Sequence, residues 1–270
     1  MSNASARARK IYFISDAHVG TGNIEQETLK ENKLSDFLLA IGREDPKPLL
    51  YIVGDLFDFW FEYRYAIPAL YQKLLSRLVF LRDQGVDIRY VTGNHDFWMG
   101  RFFPKMLQIP VYRGVHRLEL TGRRFYIFHG DGVLAEDRGY RLLKKILQNP
   151  AAIQAYKLLH PDLGIPLARW ASSSSRNHYR KSPEEERRDD AQYIRYAVQV
   201  LEQGYDFVIM GHTHRPVLYR HKKGLYVNLG DWMRHFTFAR FDGKDLRLFR
   251  WESPGVEIEI QEQSPLPEVE

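Results

Sequence analysis

The sequence predicts a layered α/β sandwich, and three of its features carry that prediction. Short runs of β-branched and aromatic residues recur along the chain, each closing on a polar or glycine-containing turn. Amphipathic segments separate the first three runs, and beyond Gly211 strand-like runs follow one another with no helix between them. Such unbroken apolar runs suit strands covered on both faces, as at the centre of a layered sheet.

Taken in order, Lys10–Ser15 (KIYFIS), Leu49–Val53 (LLYIV) and Asp87–Thr92 (DIRYVT) read as strands. Between them, Glu25 to Ile41 reads as an amphipathic helix. Ala69 to Gln84 reads as a second, with Leu70, Leu74, Leu75, Leu78 and Leu81 at helical spacing. The chain thus opens β-α-β-α-β. Arg124–His129 and Asp206–Met210 repeat the strand pattern. Pro216–Arg220, Gly224–Asn228, Phe236–Phe241 and Leu246–Trp251 continue it, with Asp242-Gly243 as a turn.

One stretch breaks the plan. From Asp137 to Asp190 the chain reads as helices interrupted by Pro150, Pro161, Pro166 and Pro183, apolar and basic at once. We read residues 137–190 as a helical insertion lying over the sheet, 10–136 and 191–260 as the core, and 261–270, made mostly of Glu, Gln and Pro, as a disordered tail.

Composition narrows the classes. A chain of 270 residues buries a sizeable core, and 44% hydrophobic with 27% charged residues is ordinary for a soluble globular protein. No stretch approaches the roughly 18 apolar residues of a membrane span. The run Ile11 to Ile14 is too short for a signal peptide, so a cytoplasmic location is expected. The absence of cysteine excludes disulfides, thiolate metal sites and a cysteine nucleophile. A net charge of +5 is mild, and its placement matters more than its sum.

The chemistry sits in five short motifs, each at the end of a predicted strand or the loop after it: Asp16-Ala17-His18, Gly54-Asp55, Gly93-Asn94-His95-Asp96, His129-Gly130-Asp131 and Gly211-His212-Thr213-His214. In layered α/β proteins the carboxyl ends of neighbouring strands converge where ligands bind, so residues two hundred positions apart can share a site. A lone strand-end Asp or His is more often a cap or a satisfied core group. Their joint occurrence has no such explanation. Carboxylate, imidazole and amide donors together suit Mn²⁺, Fe²⁺ or Zn²⁺ better than Ca²⁺ or Mg²⁺.

The series D-x-H, G-D, G-N-H-D, H-G-D and G-H-T-H resembles the calcineurin-like metallophosphoesterase superfamily, with motifs spanning about Lys10 to His214. The resemblance implies a four-layer αββα sandwich with the helical insertion as a lid, and a pair of divalent ions, Mn²⁺ first and Fe²⁺ or Zn²⁺ as alternatives. It implies that Asp16, His18 and His214 hold one ion, that Asn94, His129 and His212 hold the other, and that Asp55 bridges them. His95 matches the family's non-ligand histidine, which steadies phosphate oxygens or protonates the leaving group, and Asp96 is expected to orient its ring. Two ions in such a site activate water for attack on phosphorus, with no covalent enzyme intermediate.

Flanking residues sharpen the resemblance. Gly54-Asp55-Leu56-Phe57-Asp58-Phe59-Trp60, Asn94-His95-Asp96-Phe97-Trp98, His129-Gly130-Asp131-Gly132, Gly211-His212-Thr213-His214-Arg215-Pro216 and Asn228-Leu229-Gly230-Asp231-Trp232 are similar to the UDP-2,3-diacylglucosamine pyrophosphatases of lipid A synthesis. One position departs: well-known members carry arginine where this chain has His95. This group implies a UDP-linked diacylated glucosamine lipid as substrate, cleaved at the α-phosphate to UMP and 2,3-diacylglucosamine 1-phosphate. In the insertion, Leu142, Leu143, Ile146, Leu158, Ile165, Leu167 and Trp170 are candidates to line an acyl slot. Arg176, Asn177, Arg180, Lys181 and Lys144 are candidates to reach phosphate and sugar. A basic, apolar insertion also suits peripheral contact with the cytoplasmic face of the inner membrane. A nuclease or cyclic nucleotide phosphodiesterase would use the same metals, but nucleic acid offers nothing for those leucines to bury, so no nucleic-acid partner is expected. A non-catalytic scaffold should show lost ligands, and none is lost.

Overall fold

The chain is described here by a computed structural model, which covers residues 9–134, 145–168 and 182–262. Within these, the first sheet has seven strands in the order β12-β11-β10-β1-β2-β3-β4 and the second has five in the order β5-β6-β7-β9-β8. The first is built of β1 (Ile11–Ile14), β2 (Leu49–Val53), β3 (Asp87–Val91), β4 (Val111–Tyr112), β10 (Thr237–Phe241), β11 (Leu246–Ser253) and β12 (Val256–Ile260). The second is built of β5 (His116–Leu120), β6 (Arg123–Ile127), β7 (Phe207–Met210), β8 (Pro216–His221) and β9 (Gly224–Leu229). β1 to β4 run parallel, as do β6, β7 and β9, while β10, β11, β12, β5 and β8 add antiparallel margins.

The period-2 alternation of each strand divides its side chains between two cores. Ile11 and Phe13 of β1, Leu49, Tyr51 and Val53 of β2, and Leu225 and Val227 of β9 fill the space between the sheets. Tyr12, Ile14, Leu50 and Ile52 point the other way, onto α1 (Ile24–Gly42) and α2 (Gln72–Asp83). Tyr126, Val208 and Tyr226 turn outward from the second sheet onto α4 (Pro183–Leu201). Helices therefore cover both outer faces, which gives the four layers α-β-β-α and explains why the strand sequences are apolar on both sides.

Helix ends follow local signals. Asn23 caps α1 through a reciprocal pair with Gln26, and Ser182 does the same for α4 with Glu185, followed by Pro183 in the first turn. α4 runs unbroken through 190, so the boundary expected between 190 and 191 falls inside one helix. Its buried face begins at Asp189 and continues through Tyr193, Ile194, Ala197, Val200 and Leu201. The expected Ala69–Gln84 helix opens instead with a 3₁₀ turn, Ala69–Tyr71, and Leu70 is exposed rather than buried. Strands β4, β5 and β12 were not foreseen. β5 and β12 carry charged residues at alternate positions and lie at sheet edges, where half-exposed side chains weaken the apolar signal. Of the insertion, α3 (Pro150–Lys157) and residues 145–147 and 161–168 are helical. Residues 263–270, most of the tail expected to be disordered, lie outside the described residues.

Candidate dinuclear metal centre

The parallel strands deliver the motif residues to one edge. Asp16 and His18 follow β1, Asp55 follows β2, Asn94 and His95 follow β3, His129 follows β6, and His212 and His214 follow β7. Among the described residues, three groups of these side chains converge closely enough to hold metal: Asp16, His18 and His214; His18, Asp55 and His95; and Asp55, His129 and His212. Asp55 and His18 each appear in two of them. Asp55 Oδ2 lies 3.2 Å from His129 Nε2 and 3.7 Å from His18 Nε2.

The backbone is bent to make this possible. Asp16 (φ 53°), His18 (41°), Asp55 (53°), His212 (72°) and His214 (60°) are all left-handed, a conformation that costs an L-residue roughly 1–2 kcal/mol. Hydrogen bonds between the loops hold them there: Asp16 N–H to the Gly54 carbonyl (3.2 Å), His18 N–H to the Asp55 carbonyl (2.9 Å) and His212 N–H to Asp16 Oδ2 (2.8 Å). Two glycines are needed for close approach: a Cβ at Gly93 would collide with Asp55 Oδ1, and one at Gly211 with Ser15 Oγ and Asp16 Oδ2.

The donor set fits divalent cations on direct observation. Asp16 is fully buried; its Oδ2 takes hydrogen bonds from Ser15 Oγ (2.6 Å) and His212 N–H, whereas its Oδ1 accepts none. That bare oxygen faces His214 Nε2 at 3.3 Å and His18 Nε2 at 3.5 Å. His129 Nδ1 meets the Val53 carbonyl at 2.9 Å, and since a carbonyl only accepts, Nδ1 donates there and the neutral ring would carry its lone pair on Nε2. Nε2 then faces two more acceptors, Asn94 Oδ1 at 3.1 Å and Asp55 Oδ2 at 3.2 Å. Lone pairs converging in a buried space call for positive charge between them. Without it the group must recruit protons instead: burial lowers the His129 pKa, but Asp55 and Asp16 outweigh burial and hold it well above the usual histidine range. Asp55 is pushed up by burial yet ends well below the carboxylate range because of His129, His95 and His18. Burial takes His212 and His214 down to about 4, leaving neutral imidazoles with lone pairs to give.

His95 belongs to one of these three candidate groups. Its Nδ1 lies 2.8 Å from the Asp58 carbonyl, so it donates there, and its Nε2 looks into the site, 4.0 Å from Asp55 Oδ2. Asp96 does not orient this ring, contrary to expectation. Its Oδ1 accepts Gly93 N–H at 2.7 Å, and its Oδ2 accepts Leu56 N–H at 3.1 Å and the Tyr90 hydroxyl. Burial and the charge of Asp55 push its pKa up to about 7. Asp96 therefore ties the β2 and β3 loops together, and the main chain at Asp58 orients His95.

Sequence reasoning missed two buried carboxylates. Asp58 Oδ1 is 4.0 Å from His18 Nδ1, and Asp231 Oδ2 is 4.0 Å from His214 Nδ1 while its Oδ1 accepts three successive backbone N–H groups, Met233 to His235. Carboxylates behind metal-binding imidazoles fix ring orientation. The signal was their place within the quoted motifs, Asp58 four residues after Gly54 and Asp231 directly after Gly230. Buried Lys30 on α1 also went unnoticed; its Nζ donates to the His18 carbonyl at 2.7 Å. Arg215, next to His214, forks onto Asp190 of α4 at 2.8–3.1 Å.

Of the expected substrate contacts, Lys144, Trp170, Arg176, Asn177, Arg180 and Lys181 lie outside the described residues, as do Leu142 and Leu143. Ile146, Leu158 and Leu167 are exposed, and Ile165 is half-buried.

Comparison with known proteins places this geometry. The family model described as Calcineurin-like phosphoesterase matches residues 9–216. A UDP-2,3-diacylglucosamine hydrolase of Porphyromonas gingivalis is 33% identical over 255 residues, covering 88% of this chain and 96% of its own length. The protein of the same name from Haemophilus influenzae is 28% identical over 226 residues, covering 84% and 92%, and that of Photorhabdus laumondii is 29% identical over 243 residues, covering 87% and 96%.

Proposed function

Because the chain belongs to the calcineurin-like phosphoesterase family, we propose that it is a metal-dependent hydrolase of UDP-2,3-diacylglucosamine in lipid A biosynthesis, releasing UMP and 2,3-diacylglucosamine 1-phosphate. The observation that carries this reading is the 33% identity to the P. gingivalis hydrolase across 96% of that protein, supported by three convergent groups of candidate metal-holding side chains.

Bound divalent ions supply neutralisation of the phosphoryl oxygens and activation of water, and mixed oxygen and nitrogen donors favour Mn²⁺, with Fe²⁺ or Zn²⁺ as alternatives. The remaining work falls to the chain. Asp16 Oδ1, Asp55 Oδ2 and Asn94 Oδ1 are the oxygens turned to the imidazoles, and three of the four imidazoles, His129, His18 and His214, have the Val53 carbonyl, Asp58 and Asp231 beside their Nδ1 atoms. His95, held through Nδ1 by the Asp58 carbonyl, presents Nε2 to the substrate, where it donates to a phosphoryl oxygen or to the departing one. Lys144, Arg176, Arg180 and Lys181 supply the cations, and Asn177 the amide, proposed to hold phosphate and sugar, while Trp170 is proposed to line the acyl slot. The exposed Ile146, Leu158, Leu163 and Leu167 supply apolar surface for acyl chains and for contact with a bilayer carrying the substrate. No helix among the described residues is long and apolar enough to cross a membrane, and the contact proposed is a peripheral one.

The test is release of UMP from UDP-2,3-diacylglucosamine by purified protein with Mn²⁺, run beside cyclic AMP and single-stranded DNA. Turnover of the lipid nucleotide alone, abolished by chelation and restored by Mn²⁺, is expected. Faster cleavage of either nucleotide substrate would replace this reading with a phosphodiesterase or nuclease. Sedimentation with anionic vesicles at low salt tests the membrane contact, and a protein left in the supernatant defeats it.

A further inference from the structure

The loops that carry Asp55 and Asn94 run on into aromatic residues, and these grip the described part of the insertion. Phe61 and Trp98 meet in an isolated parallel bridge, their rings edge to face at 5.0 Å. Tyr156 of α3 packs against both, 4.5 Å from Phe61 and 5.1 Å from Trp98, with Phe59 at 6.3 Å. Trp98 Nε1 donates to the Leu147 carbonyl at 2.7 Å, and the Tyr156 hydroxyl donates to the Gly164 carbonyl at 2.5 Å. Tyr63 closes the cluster: a Cβ at Gly164 would stand 2.5 Å from its hydroxyl. α3 has only eight residues and none of them is buried. So short a helix does not hold a position by itself, and its location is decided by this aromatic key.

The key lies on the metal loops themselves. Trp60 N–H, one residue before Phe61, donates to the His95 carbonyl, which links the two loops beneath the aromatic cluster. Whatever fixes Tyr156 against Trp98 therefore also fixes Leu158 (88% exposed), Leu163 (68%) and Leu167 (54%) relative to Asp55 and His95. Resting on the reading above of a substrate with an apolar tail, we propose that Tyr156, Trp98 and Tyr63 are specificity-determining positioning residues, which register the exposed leucines with the reacting phosphorus and so favour apolar-tailed phosphoesters over short ones. They touch no reacting atom.

A series of p-nitrophenyl alkyl phosphodiesters, from methyl to dodecyl, tests this on the full chain with Mn²⁺. Wild-type kcat/KM is expected to climb with chain length, by at most about fourfold per fully buried methylene. Tyr156→Leu and, more mildly, Trp98→Phe should flatten that climb through KM, while methyl-ester turnover and metal content stay within about twofold. A wild-type profile without a climb, variants with an undiminished climb, or methyl-ester turnover falling in step with the long esters would each overturn the proposal. Assay of wild type on UDP-2,3-diacylglucosamine decides the nucleotide reading separately, since a failure there leaves the chain-length result intact.

Discussion

Asp55 divides its carboxylate between two tasks: Oδ1 accepts the His95 backbone N–H at 2.9 Å, and Oδ2 lies 3.2 Å from His129 Nε2. One oxygen thus ties down the loop that carries His95, and the other faces the candidate metal ligands. A single side chain contributes both to the placement of His95 and to the charge at the centre.

Replacing Asp55 with Asn removes the charge while keeping the shape. Metal content measured by elemental analysis is expected to fall from two ions per chain to one or fewer, and turnover by roughly a thousandfold. Two retained ions with near-normal turnover would remove Asp55 from the bridging role.

His95→Ala separates chemistry from metal binding. Both ions should stay bound, because His95 is not among the proposed ligands, while kcat falls about a hundredfold. Loss of an ion in this variant would make His95 a ligand.

Asp96→Ala tests the tie between the β2 and β3 loops. The Gly93 and Leu56 N–H groups lose their acceptor, which should cost about 2–4 kcal/mol in denaturant unfolding. Asp96→Asn keeps an acceptor and should lose less. If instead Asp96→Ala were as stable as wild type but lacked turnover, Asp96 would act on His95 after all.

Gly211→Ala places a methyl against Ser15 Oγ and Asp16 Oδ2. Destabilisation of about 1–3 kcal/mol is expected, together with weaker metal retention at the Asp16–His18–His214 group during dialysis. Unchanged retention would show that the β1 loop yields without disturbing Asp16.

Much of this was legible in the residues alone, and the reason is periodicity. Leu49–Val53 is apolar at every position because both faces of β2 are covered, one by the second sheet and one by helices. The motif residues were legible because each follows such a run, and parallel strands bring their carboxyl ends to one edge. Even the missed start of α4 was written in Ser182-Pro183-Glu184-Glu185.

Other features belong to contacts between distant segments. That His95 is oriented by the Asp58 carbonyl rather than by its neighbour Asp96 depends on how two loops from different strands meet, and no spacing rule contains it. The left-handed backbone at Asp16, His18, Asp55, His212 and His214 runs against local preference and is held by hydrogen bonds across the loops. Tyr156 meets Trp98 and Phe61 across more than fifty residues of sequence, through packing of α3 on the loops after β2 and β3. Local propensity and pattern set which elements form and where each ligand stands along the chain. The direction each side chain points, and what stands behind it, were decided by packing between parts of the chain that share no local signal.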